Sequence, residues 1–218
     1  MTPEGLLQYY HTLRNLKPTQ VWHQLYYRVR PVFGRKTYSG TPSKIRPLTL
    51  ASGIPSPTSY LGKETFCFLN REKAFGTIDW NYPGHGKLWA YNLNYFDFLQ
   101  QDGIKGETAL ELMREYLKKE SGREDGTEPY PTSVRGINWI KFLSTHNIVD
   151  EGLNTLLYRD YCRLLDRLEY HLLANHLLEN GFSLLFGALY FRDEKFEDAA
   201  RRILNQELKE QVLEDGAH

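Results

Sequence analysis

The segment that most constrains the fold is 168–191, LEYHLLANHLLENGFSLLFGALYF. Its density of leucine and phenylalanine is that of a helix enclosed by neighbours on nearly all sides, yet His171, Asn175, His176, Glu179 and Asn180 sit inside it. Read as one helix, it stacks His171, Asn175 and Glu179 on one face at four-residue spacing, with His176 and Asn180 on the next stripe. A buried polar group without a partner costs about 1–3 kcal/mol, so this set requires either a self-satisfied network or the wall of a solvent-filled hollow. A lone polar residue on such a helix is ordinarily a satisfied core residue. Asn175 and His176 are adjacent, about 100° apart around the axis, and together can offer an amide and an imidazole to one ligand. Glu179 and Asn180 interrupt the apolar run, and the uninterrupted stretch after them is shorter than the ~20 residues a membrane span needs. No span is expected.

A chain of 218 residues can bury a sizeable core, as one domain or as one domain with a small lobe. Its 27 basic and 27 acidic side chains cancel, so no global field recruits nucleic acid or an anionic membrane. An anionic ligand must be held by local groups. The 15 tyrosines and 4 tryptophans include rings in polar surroundings, the kind that stack on the apolar face of a sugar while OH or NH makes a hydrogen bond. Cys67 and Cys162 lie far apart in unlike contexts and read as two free thiols, with neither a disulfide framework nor a metal site indicated. No cofactor is expected. The N-terminal MTPEGLLQYYHTLRNLKPTQ lacks the unbroken apolar region of a signal peptide, which predicts a cytoplasmic protein.

In chain order, Thr2, Pro3 and Glu4 open a first helix, with Leu6, Leu7, Tyr10, Leu13 and Leu16 on one face. A second runs from Pro18 to about Val29, and the basic run Arg28, Arg30, Arg35 and Lys36 reads as its solvated end. Residues 1–38 thus form an N-terminal helical segment. Residues 39–60 are rich in proline and small polar residues and read as a linker draped over the surface. Two short strands are predicted at 66–69 and 75–80, with 70–73 as the turn. Residues 81–100 begin as a Pro-Gly loop and become helical near Trp89, burying Trp89, Leu93 and Phe96 while Asn92, Asn94 and Tyr95 point elsewhere. Residues 108–120 form an amphipathic helix, and Thr132 or Ser133 caps another that runs to Leu143. There, Arg135, Asn138 and Trp139 are the residues packing alone does not demand. Arg135 reads either as a salt bridge to a neighbouring helix or as a fork of donors for a carboxylate or sulfate. Helices at 151–170, 168–191 and 194–212 complete an array of antiparallel helices with short connections.

Three of these stretches carry a family resemblance. YNLNYFDFL at 91–99, YPTSVRGINWIKFL at 130–143 and HLLANHLLENGFSLLFGALYF at 171–191 resemble the N-terminal half of heparinase II/III-type proteins, the polysaccharide-lyase group that includes alginate lyase-like members. The similarity extends from about Phe66 onward. It implies an incomplete (α/α) toroid over residues 61–218, so that with the strand pattern above the fold expected is mainly α with a small β-hairpin element near 65–80. It also implies β-elimination on a uronic-acid-containing polysaccharide. In such chemistry the C5 proton is weakly acidic, so the neighbouring carboxylate must be neutralised, the proton removed and the leaving 4-oxygen protonated. The family's Asn-His pair meets that carboxylate, and Asn175 and His176 match it. Glu179 is expected to orient His176 from one turn on, and Arg135, Asn138, Trp139 and Tyr95 are expected to line the cleft.

The family's tyrosine acid/base corresponds to sequence beyond LEDGAH, so the chain alone is expected to turn over little substrate, and a toroid stopping there to self-associate through exposed apolar helix faces. The partner expected is an acidic polysaccharide. The rival expectation is a module that holds an acidic glycan without chemistry, linked to surface-polysaccharide biosynthesis. A glycoside hydrolase needs two acids facing one sugar, and Glu179 alone on the central helix does not supply them.

Overall fold

Helix α1 (Pro18–Val29) is followed by three short strands, β1 (Tyr60–Gly62), β2 (Thr65–Phe68) and β3 (Arg71–Ala74), and then by α2 (Lys87–Tyr95), α3 (Gly106–Lys118), α4 (Pro129–Thr145), α5 (Glu151–Asp166), α6 (Ala174–Phe191) and α7 (Glu194–Gln211). This computed structural model describes residues 16–29, 37–51, 53–119 and 124–213. The helix expected from Thr2, residues Arg30, Arg35 and Lys36 of the basic run, and all but the first residue of LEDGAH lie outside them. The protein is mainly helical with one small antiparallel sheet in the order β1-β2-β3.

The caps explain where the last helices begin. Asp150 accepts from the Leu153 amide at 3.1 Å to open α5, and Asp193 accepts from the Lys195 amide at 2.9 Å to open α7. Arg192, left-handed at φ 56°, turns the chain sharply between α6 and α7. These two helices form the most extensive helical packing, followed by α4 against α6. The start of α4 corrects an expectation. Pro129 occupies the first turn with Glu128 extended before it, so Thr132 and Ser133 are buried residues of the helix and not its caps.

The sheet also differs from the expected hairpin. Residues 71–73, read as a turn, are in strand β3, and 75–80 form no strand. Two-residue turns do the work. Lys63 and Glu64 (φ 48° and 52°) join β1 to β2, and Leu69 and Asn70 (φ 53° and 58°) join β2 to β3, closing the Phe68–Arg71 pair. The Phe75 amide adds one bond to the Glu64 carbonyl at 3.1 Å beyond the end of β3, and Trp80 contributes its ring, which stacks on Phe96 at 5.0 Å and 15°.

Phe96 ends α2 in the left-handed conformation (φ 59°, ψ 28°) and is fully buried. Its ring meets Trp80, Phe98, Tyr116 and Trp139 at 5.0–5.4 Å, an aromatic core in which α2, α3 and α4 converge. Beside it, Arg135 of α4 is 1% exposed and donates to Asp160 of α5 at 2.8 Å and to the Gly126 carbonyl at 2.6 Å. Arg163 reaches the other Asp160 oxygen at 2.8 Å. Helices α4, α5 and α6 also meet around the Tyr161 ring: a Cβ on Gly187 would lie 2.5 Å from that ring and one on Gly136 2.7 Å from its hydroxyl. Those distances leave no room for even a methyl group.

The proline-rich stretch is tied down at several points. The amides of Arg46 and Leu48 donate to the Tyr190 carbonyl (2.8 Å) and the Ser144 hydroxyl (3.0 Å), and Ser56 bridges in parallel to Gln101. Helix α1 buries none of its residues. It is held by Gln20 on the Leu172 carbonyl (3.2 Å), Tyr27 on the Leu168 carbonyl (2.6 Å) and Lys17 on Glu210 (2.5 Å), while Trp22, Leu25 and Tyr26 remain exposed. Among the described residues no helix is long and apolar enough to cross a membrane.

Candidate functional site

The segment 168–191 is not one helix. Helix α5 ends at Asp166, and residues 167–173 form a loop that leads through Leu173 (φ 57°) and Ala174 (φ 51°) into α6. His171 therefore lies in a turn before the helix, and the expected His171, Asn175, Glu179 face does not form. The loop has a different consequence: it folds Glu169 back against the first turns of α6. The Glu169 amide donates to Asn180 Oδ1 at 3.0 Å, and Asn180 Nδ2 donates to Glu169 Oε2 and to Ser133 Oγ, each at 3.1 Å. The other carboxylate oxygen, Oε1, lies 3.2 Å from His176 Nδ1. Asn180 and Ser183 thus form the satisfied interior network, with Ser183 Oγ donating to the Ser133 carbonyl at 2.9 Å. The carboxylate within hydrogen-bond distance of His176 is that of Glu169, where the sequence points to Glu179.

Asn175 is exposed and the His176 side chain retains 39% of its accessibility. The two groups sit at the protein surface, on the N-terminal turn of α6. The Tyr130 ring from α4 packs on the imidazole at 4.6 Å. From there a ribbon of half-buried rings continues, with Tyr130 to Tyr95 at 6.0 Å and Tyr95 to Tyr91 at 6.4 Å. At its far end the Tyr91 hydroxyl and Lys87 Nζ both donate to Glu128. Of the residues expected in a cleft, Tyr95 and Glu179 join this surface half-buried.

Arg135, Asn138 and Trp139 take other places. Arg135 is sealed in its pair with Asp160, the salt-bridge alternative of its two readings. Trp139 is packed against Phe96 and Tyr116 with its indole NH unpartnered by protein. Asn138 is buried, but its amide donates to Asp97 Oδ1 at 2.6 Å and to the Tyr95 carbonyl at 3.0 Å, so it positions site residues from beneath. Asn94, expected to point away from the core, is buried and donates to the Trp80 carbonyl at 2.7 Å.

Burial dominates the electrostatics of this surface. It pushes the carboxyls of Asp97, Glu169 and Glu179 above the ordinary range, with Asp97 adding repulsion at Glu179 and Lys141 opposing it. At Glu169, hydrogen bonding by Asn180 and the charge of His176 act to keep the carboxylate ionised. Burial and then the charge of Glu179 raise the Tyr130 phenol, and burial and then Tyr130 raise that of Tyr95, so both remain protonated donors at neutral pH. A carboxyl raised in the folded state contributes stability that is complete below its unfolded pKa and is lost as pH rises through its folded value. Glu179→Gln, which removes the charge but keeps the shape, is therefore expected to raise Tm at pH 7 by about 1–2 °C and to bring no gain near pH 4. Thermal denaturation at the two pH values reads this; an equal effect at both would show that the charge of Glu179 is not the cause.

Tyr130, Asp97, Lys141 and Tyr91 on this surface, and Glu169 buried beneath it, are residues that the sequence pattern does not single out. Among the described residues no group of three or more His, Cys, Asp or Glu side chains is arranged to hold a metal ion, and Cys67 and Cys162 are half-buried and not joined in a disulfide. No protein-family model, curated protein or solved structure matches the chain.

Proposed function

We propose that the chain is the N-terminal helical part of a heparinase II/III-type polysaccharide lyase, built as an incomplete (α/α) toroid, and that Asn175 and His176 hold the carboxylate of a uronic-acid residue. The observation that carries this reading is the contrast along α6: Asn180 and Ser183 are buried and fully engaged, whereas Asn175 and His176 face solvent. The aromatic ribbon of Tyr130, Tyr95 and Tyr91 supports it, since a row of half-exposed phenols gives successive pyranose rings apolar faces to stack on and hydroxyls to bond. Held between an amide and an imidazolium, a uronate carboxylate loses the charge that opposes removal of the C5 proton, and the developing enolate is stabilised by the same donors.

Calorimetric titration with oligouronates tests the site. Asn175→Ala and His176→Ala are each expected to weaken binding about 10-fold, the loss of one hydrogen bond to a charged group, with little change in Tm because both side chains are accessible. Unchanged affinity in both variants would sink the proposal. The second reading, an acidic-glycan-binding or assembly module, rests on the same exposed pair and predicts the same affinity losses. Incubating the protein with polyuronates and monitoring the ultraviolet absorbance of unsaturated uronate separates the two: product marks the lyase, and binding without product marks the module.

A further inference from the structure

The geometry points to Glu169 as the positioning residue that fixes the tautomer of His176, committing Nδ1–H to the protein and leaving Nε2 as the only ring nitrogen open to a ligand. This deepens the glycan-site reading and, in its ligand-binding consequence, rests on it. Glu169 is buried and held on two sides by one residue: its amide donates to Asn180 Oδ1 and its Oε2 accepts from Asn180 Nδ2. Asn180 is itself anchored on Ser133 of α4. The carboxylate therefore cannot swing away, and Oε1 remains directed at His176 Nδ1 at 3.2 Å. In its ionised form, which hydrogen bonding by Asn180 and the charge of His176 favour against burial, the carboxylate only accepts hydrogen bonds, so Nδ1 carries the proton. Tyr130 packs on the ring from the α4 side, limiting rotation that would exchange the two nitrogens.

The donor count sets the consequence for ligand binding. A carboxylate at Nε2 needs a proton on that nitrogen as well, so the ring that meets a uronate is the imidazolium, with Glu169 as its counter-charge behind it. Other titratable groups near the ring are His171 from the same loop, whose own protonation is disfavoured by burial and by His176, Tyr130 from α4, and Glu179 one turn further along α6. The carboxylate bonded to Nδ1 is that of Glu169.

The test is long-range proton–nitrogen NMR of the full chain labelled at histidine nitrogens, at a pH where the rings are neutral. The His176→Ala spectrum identifies the signals of His176 among those of the seven histidines. In the wild type, His176 is expected as the Nδ1–H tautomer. In Glu169→Gln it is expected to become a mixture, with affinity for an oligouronate reduced about 10-fold. A residue that merely braces the loop would leave the tautomer unchanged in Glu169→Gln, and that result overturns the assignment, as does an Nε2–H tautomer in the wild type. The wild-type spectrum decides the matter even where the variant does not fold. If the tautomer shifts as expected but His176→Ala binds oligouronate like the wild type, the glycan-site reading fails while the role of Glu169 in setting the ring stands.

Discussion

Asp160→Ala is expected to destabilise the protein by about 3–5 kcal/mol, the cost of leaving a buried charge without its partner. Arg135 is 1% and Asp160 3% exposed in side-chain accessibility, and the guanidinium lies 5.1 Å from the Tyr116 ring centroid, so water cannot replace the lost carboxylate cheaply. Arg163, also bonded to Asp160, is partly exposed and can turn to solvent; Arg135 cannot. Against a typical total stability of about 5–15 kcal/mol, the loss shows as a large drop in the urea midpoint. Asp160→Asn keeps the shape and one acceptor and should cost less. Replacing both partners with apolar residues of similar volume should recover much of the loss, because the desolvation of two charges is removed together. A drop below about 1 kcal/mol for Asp160→Ala would mean that the pair is not sealed as described.

Phe96→Ala should cost a similar amount, about 3–5 kcal/mol, from the cavity left among Trp80, Phe98, Tyr116 and Trp139. The informative comparison is Phe96→Gly. It removes the same ring but suits the left-handed backbone (φ 59°), where a β-carbon is disfavoured by about 1 kcal/mol. Glycine is therefore expected to be no worse than alanine and up to about 1 kcal/mol better, the reverse of the order in an ordinary helix. Denaturant unfolding of the two variants gives the order directly, and alanine ahead of glycine would contradict the left-handed cap.

Much of the helical frame is legible in the sequence, for reasons visible in single residues. Asp150 and Asp193 are capping residues placed just before amphipathic runs, and α5 and α7 begin there. The sheet is misread because its turns are Lys63-Glu64 and Leu69-Asn70, positive-φ pairs without the glycine that normally announces them. On α4 the needed signal is present. Arg135, Asn138, Trp139 and Phe142 recur at three- and four-residue spacing and form the buried stripe, whereas Tyr130, Val134, Ile137 and Lys141 recur at the same spacing on the partly accessible one. Reading polarity residue by residue leaves Arg135 open between a salt bridge and a fork for an anion, whereas reading the stripe places Arg135 inside and Tyr130 on the accessible side. Glu169 carries no such signal. Its position depends on Leu173 and Ala174 leaving the helical region of backbone space, which periodicity does not register.

The placement of the indoles gives the protein two built-in optical reporters. Trp80, Trp89 and Trp139 are enclosed in the core, whereas Trp22 on α1 is 66% accessible. A small soluble quencher will extinguish the red-shifted emission of Trp22 first and leave the blue emission of the other three, so detachment of the first described helix and melting of the interior can be tracked as separate colours in one cuvette.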